Sequence, residues 1–158
     1  MRKFLIRVSL FLVACAIAVS SVGSAQLLEK KGISLVLARK MIAAAQAHAA
    51  TIKVACSVAV LDDHGTLIAF ERMDDAAFST TEVAVAKGRT AALFRRPSKS
   101  FQDRVRNGEM NLMTFPITAS EGGVPVMVDG KVIGAIGTSG GTAEQDGEIS
   151  SAGAAVVK

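Results

Sequence analysis

Tyrosine and tryptophan are absent from the 158 residues, proline occurs three times and histidine twice, and the cysteines are Cys15 and Cys56. Without a basic block, Tyr or Trp, nothing in the chain offers the electrostatic stripe and stacking platforms of a nucleic-acid binder. Two histidines, His48 and His64, fall in no order with Ser, Cys or Asp that makes a nucleophilic triad. No glycine run ends in Lys-Ser/Thr or follows GxGxxG, so nucleotide binding has no motif to rest on. Asp62, Asp63, Glu71, Asp74 and Asp75 crowd one region, yet their spacing is not that of a calcium loop or a paired-metal site. Long apolar runs are missing too. The longest, Val8 to Val19, is well short of the ~20 residues that cross a bilayer, so no transmembrane span is expected.

That run belongs instead to a three-part export signal. Arg2, Lys3 and Arg7 form its positive start, Val8 to Val19 its apolar centre, and Gly23-Ser24-Ala25 the small residues before a cut at Gln26. Met1 to Ala25 is therefore read as a signal peptide and residues 26–158 as one domain, placed in the periplasm or secreted. Leu12-Val13-Ala14-Cys15 also has the form of a lipobox, which would make Cys15 a lipidated N-terminus but strand apolar residues in the mature arm. Losing Arg2, Lys3 and Arg7 leaves fifteen basic residues against fourteen acids, so the mature net charge is near +1. Only Cys56 would remain, which excludes an intramolecular disulfide in a compartment that permits one. Within an apolar strand pattern it reads as a buried, inert thiol.

The mature sequence alternates helical and strand periodicities. Ile33, Val36, Leu37, Met41, Ala44, Ala45, His48 and Ile52 recur at helical spacing, predicting a first helix capped near Ser34. Val54 to Leu61 and Thr66 to Met73 alternate around the turn residues Asp62-Asp63-His64-Gly65, predicting a β-hairpin. Ser79-Thr80-Thr81-Glu82 has the form of a capping box, so a second helix is predicted to start at Ser79 and stop before Pro97. A third helix begins after Ser98 or Ser100 and ends at Asn107-Gly108, and Glu109 to Glu121 is irregular with a short strand near Ile117. Asp129-Gly130 between alternating apolar runs predicts a second hairpin. Gly134 and Gly137 on its return strand imply close approach by a backbone or a ligand. Thr142 and Gln145 form another capping box for a last helix. This order predicts an α+β domain, an antiparallel sheet with helices packed on it.

Four stretches carry a family resemblance: Val60-Leu61-Asp62 with Gly65; Phe70-Glu71-Arg72-Met73-Asp74; Ala86-Lys87-Gly88-Arg89-Thr90-Ala91-Ala92-Leu93-Phe94; and Glu121-Gly122-Gly123-Val124-Pro125, continuing through Val132-Ile133-Gly134-Ala135-Ile136-Gly137 to Glu144-Gln145-Asp146. In order and spacing they resemble the GlcG/HbpS-like family over nearly all of the mature chain. The resemblance implies a profilin-like fold and homo-oligomers. Its members are tied variously to haem binding, haem degradation, corrinoid enzymes and glycolate operons, so it implies no single activity.

The second helix also stands out on its residues alone. Val83, Ala86, Lys87, Thr90, Ala91 and Phe94 share one face, where an ammonium and a hydroxyl interrupt an apolar stripe. The resemblance places haem at its K-x-x-T-A stretch and makes Thr90 a candidate contact or weak iron ligand; the alternative is that Thr90 bonds back to the Ala86 carbonyl. Lys87, Arg89, Arg95 and Arg96 are candidate propionate partners, or else a solvated face whose last cations complement the helix dipole. His48 and His64 are stronger ligands in principle, though each also fits a boundary or turn histidine. Met73, Met110, Met113 and Met127 are soft alternatives or filler. The leading expectation is an exported haem-binding protein that sequesters, senses or degrades haem. The second is an enzyme, or an accessory to one, whose small carboxylate substrate is held by Lys87, Arg89 and the loop Gly137 to Gly141. A structural oligomer without haem is the third.

Overall fold

The computed structural model describes residues 29–157, and a compact unit begins at Lys31. The signal-peptide and lipobox readings lie outside the described residues. The elements are α1 (Leu35–Thr51), β1 (Ser57–Asp62), β2 (Leu67–Arg72), α2 (Thr80–Phe94), α3 (Lys99–Arg106), a 3₁₀ turn (Met110–Thr114), β3 (Gly123–Val128), β4 (Lys131–Ser139) and α4 (Ala143–Ala154). The strands pair in the order β2-β1-β4-β3, antiparallel throughout. This is the α+β arrangement expected. Among the described residues no helix is long and apolar enough to cross a membrane.

Strand alternation decides which helix covers which face of the sheet. Val58, Val60 and Ile136 point to one side, where they pack with Ala38, Met41, Ile42 and Ala45 of α1 and Ile149 of α4. Ala59 and Leu61 point to the other and meet Ala84 of α2. The core thus lies in two layers either side of a sheet filled largely by small residues.

α2 comes unusually close to the sheet because glycine lies on both sides of the contact. A Cβ on Gly137 would strike the Ala84 carbonyl oxygen and lie 2.8 Å from the Gly88 Cα, and one on Gly123 would strike the Lys87 carbonyl. The approach foreseen at Gly137 is therefore made by a helix backbone. At Gly134 it is made by the Leu61 carbonyl and the Ile33 side chain.

The caps divide. Ser34 Oγ accepts from the Leu37 N–H, and Thr142 with Gln145 closes a complete capping box. Ser79 does not cap: its backbone is already helical and its side chain makes no cap hydrogen bond. The neighbouring Thr80 supplies the local hydroxyl contacts instead, with Oγ1 2.6 Å from the Ala77 carbonyl and 2.8 Å from Ser57 Oγ. Ser98 is likewise helical and caps nothing. No strand forms at Ile117, whose N–H bonds locally to the Phe115 carbonyl. At the second hairpin Asp129 and Gly130 have φ of 50° and 72°, the pair of positive values that a type I′ turn requires.

Candidate functional site

On the face of α2 singled out by its mixed chemistry, Lys87, Thr90 and Ala91 are buried while Val83, Ala86 and Phe94 are partly buried, and its two polar residues are engaged. Lys87 is 3% exposed, and its Nζ donates to Asp146 Oδ2 at 2.7 Å. The Gly141 N–H donates to Asp146 Oδ1 at 2.9 Å. Burial pushes the Asp146 carboxyl above its usual range, opposed by the hydrogen bond from Lys87 and by the Gly141 and Gly140 amides. Lys87 belongs to one helical layer and Asp146 to the other, and their contact passes the start of β3 through room left by Gly122. A Cβ on Gly122 would stand 2.9 Å from both Lys87 Cδ and Asp146 Cβ, and its φ of +131° disfavours a side chain.

This geometry corrects the expectation that Lys87 and the glycine loop together receive an outside anion. The chain's own Asp146 carboxylate already occupies both. The surrounding contacts make Glu121-Gly122-Gly123 a structural junction. Gln102 Oε1 accepts from the Glu121 N–H, Ser98 Oγ accepts from the Gly123 N–H and donates to the Ser120 carbonyl, and Ser150 Oγ donates to the Gly122 carbonyl. Lys99 adds an ion pair to Glu121 at 3.1 Å.

One turn beyond Lys87, Thr90 is 2% exposed. Its hydroxyl donates to the Ala86 carbonyl at 2.9 Å and accepts from the Thr118 N–H at 2.9 Å. The back-bond raised as an alternative is thus present, but it has a chemical consequence. With its one proton directed at Ala86, the oxygen offers only lone pairs on its other side. It is a site for an electron-pair acceptor or a hydrogen-bond donor, and repels an anion.

The remaining candidates scatter. Arg89 is exposed, with Nε donating to the Gly65 carbonyl at 3.2 Å, which ties α2 to the first hairpin turn. Arg95 is exposed and ends α2 in the left-handed conformation, φ 54°. Arg96 stacks its guanidinium 5.9 Å over the Phe101 ring. His48 lies on α1, on the opposite side of the sheet from Thr90, with Nε2 4.0 Å from a Glu148 carboxylate oxygen of α4. One subunit therefore cannot bring His48 and Thr90 to the same ligand. His64 sits in the exposed turn, its N–H donating to Asp62 Oδ1 and its Nε2 3.8 Å from Asp63 Oδ1. Met73 Sδ accepts from the Cys56 N–H at 3.5 Å, and burial pushes the Cys56 thiol up to about 11, consistent with an inert thiol. Met110, Met113 and Met127 are exposed. Asp146, Thr118, Gln102 and Ser150 went unassigned at the level of sequence, and Ser98 was read only as a helix cap. The one signal pointing to Asp146 was its place in the last of the four resembling stretches.

A four-stranded antiparallel sheet with a helix held on glycines and a buried Lys–Asp pair defines a small α+β domain whose polar chemistry lies along α2. The model of the HbpS-like family, described as haem-degrading protein HbpS-like, matches residues 33–155, and this chain belongs to that family. Protein GlcG of Escherichia coli K12 is 45% identical over 108 residues, 68% of this chain and 81% of GlcG. The crystal structure of HbpS superposes with a TM-score of 0.79 at 27% identity, covering 87% of this chain and 99% of that one. That of a PduOC:haem complex superposes at 0.73 and 28% identity, covering 81% and 96%.

Proposed function

We propose that this protein binds haem against the C-terminal half of α2, with Thr90 facing the iron and Arg89 and Arg95 serving the propionates. The observation that carries the reading is the polarity of Thr90. Its proton is fixed on Ala86, so its lone pairs suit a Lewis acid. Family membership and the haem complex of a structural relative support haem as the ligand. The donor set fits such a group in polarity, and a ligand reaching the hydroxyl would have to displace the Thr118 amide from it. Bound haem would supply a redox-active iron whose behaviour follows from its axial ligand. Lys87 is excluded from the propionates by its burial on Asp146 and acts by holding α2 in place. The small-carboxylate alternative loses the same lysine and the Gly141 amide. Export through Met1 to Ala25, and sequestration, sensing or degradation of haem as a homo-oligomer, complete the proposal.

Titration of the purified mature protein with haemin, followed at the Soret band, tests it. A neutral hydroxyl is a weak ligand, so the spectrum should be high-spin and readily displaced by imidazole. Thr90→Val keeps the shape, deletes the oxygen, and should shift the band and lower affinity. Arg89→Glu should lower affinity without changing spin state, because propionate pairing leaves the ligand field alone. An unaltered spectrum in Thr90→Val, with loss of binding in His48→Ala or His64→Ala, would overturn the assignment.

A further inference from the structure

We propose that residues 110–119 form a strap that must lift from Thr90 before an outside ligand reaches that hydroxyl, an inference that rests on the haem-binding reading. Among the described residues, one hydrogen bond joins residues 110–119 to a residue distant in the chain, from the Thr118 N–H to Thr90 Oγ1. The other hydrogen bonds of this stretch are local, between residues two or three apart. Leu112 is its one buried side chain, whereas Met110, Met113 and Phe115 are 62%, 55% and 51% exposed. A segment with so few buried contacts opens at far lower free energy than the sheet beneath it.

Both ends of the strap are held, which sets how it moves. At one end the Gly108 N–H donates to the Val105 carbonyl, the Glu109 N–H donates to the Arg104 carbonyl, and the Glu109 carboxylate accepts from the Arg104 guanidinium. At the other, Ser120, Glu121, Gly122 and Gly123 are each pinned through a backbone group, to Ser98, Gln102, Ser150 and Thr138. With both ends held, residues 110–119 lift Thr118 off Thr90 by bowing outward between them, which leaves the junction beneath intact. The Thr118 amide and an electron-pair acceptor compete for the same lone pairs, so the strap is shut without ligand and displaced with it. Its exposed Met and Phe side chains give it an apolar surface suited to covering a flat apolar ligand.

Hydrogen exchange of the ligand-free mature protein, with stopped-flow mixing with haemin, tests the strap separately from the haem reading. In wild type the Thr118 amide should be protected while residues 110–117 exchange much faster than β1 and β4. Thr90→Val should raise Thr118 exchange roughly tenfold, the worth of one ordinary hydrogen bond, and speed haemin association while lowering equilibrium affinity. Leu112→Ala leaves Thr90 in place and should speed both exchange and association with the bound spectrum unchanged. If Thr118 exchanges at the same rate in Thr90→Val, Leu112→Ala and wild type, the strap is refuted whatever haemin does. If wild type shows no haemin spectrum, the haem reading fails, and a strap is retained only if both variants still release the amide.

Discussion

Lys87 and Asp146 bury two charges at 4% and 3% side-chain exposure, 2.7 Å apart, and their removal one at a time should be the most damaging polar change in the domain. Breaking such a pair leaves a charge with neither water nor counter-ion, at a cost of about 3–5 kcal/mol. Lys87→Met keeps the stem that passes Gly122, and Asp146→Leu removes the carboxylate but orphans the Gly141 N–H as well, about 1–3 kcal/mol more. A domain of this length is stable by roughly 5–15 kcal/mol, and each kcal/mol shifts its midpoint by roughly 4 °C. Lys87→Met should therefore melt roughly 12–20 °C below wild type, and Asp146→Leu should melt lower still or fail to fold. Because the double replacement orphans no charge and apolar pairs often match buried ion pairs, Lys87→Met/Asp146→Leu should regain at least about 2 kcal/mol over the sum of the singles. Urea unfolding followed by circular dichroism measures the cycle. A Lys87→Met cost below about 1 kcal/mol, or singles that simply add, would show that the pair does not tie the helical layers together.

The raised Asp146 pKa makes a pH prediction whose sign runs opposite to the usual carboxylate. Just above the ordinary value of 3.8 the folded state holds a proton that the unfolded state has lost, so this group's contribution to stability falls as pH rises through that window; the advantage of wild type over Asp146→Asn should shrink over the same range in melts taken from pH 4 upward. Gly137→Ala drives a methyl into the Ala84 carbonyl and Gly88 and should cost at least about 2 kcal/mol. Gly32→Ala, with nothing within 4 Å, should stay within about 0.5 kcal/mol of wild type. Thr142→Ala should lose about 1 kcal/mol with its capping box, while Ser79→Ala, which removes no cap bond, should be nearly silent. Intact mass of the exported protein should begin at Gln26; a diacylated Cys15 would mean the lipoprotein cut instead. Light scattering at micromolar concentration should give a multiple of the monomer mass, and a monomer would remove the oligomer from the proposal.

The order of elements was legible because it rests on local physics. Apolar spacing distinguishes the Leu35–Thr51 helix from the Ser57–Asp62 strand, Asp129-Gly130 takes positive φ at both positions more readily than most dipeptides, and Thr142 with Gln145 bonds within its own turn. Ser79 has the same pattern as Thr142, yet the chain enters α2 already helical, so the conformation that lets a side chain cap is never adopted. The contact that is made there is tertiary: Thr80, the first residue of α2, bonds Ser57, 23 residues away. The candidate site was legible as residue types and illegible as partners. Lys87 and Thr90 interrupt an apolar stripe for anyone reading the helix, but whether an interrupting cation faces water or another charge is decided by what lies opposite. Asp146 lies 59 residues downstream and Thr118 lies 28. No periodicity relates residues so far apart; they meet because antiparallel pairing of β1, β3 and β4 fixes where α2, α4 and the 110–119 segment can pack. Sequence alone therefore determined which side chains are chemically able to hold a ligand, since that depends on their own atoms. Tertiary structure decided which are already taken: the lysine by a carboxylate, the threonine by a carbonyl and an amide, because burial forces each polar group to find its partner inside the fold.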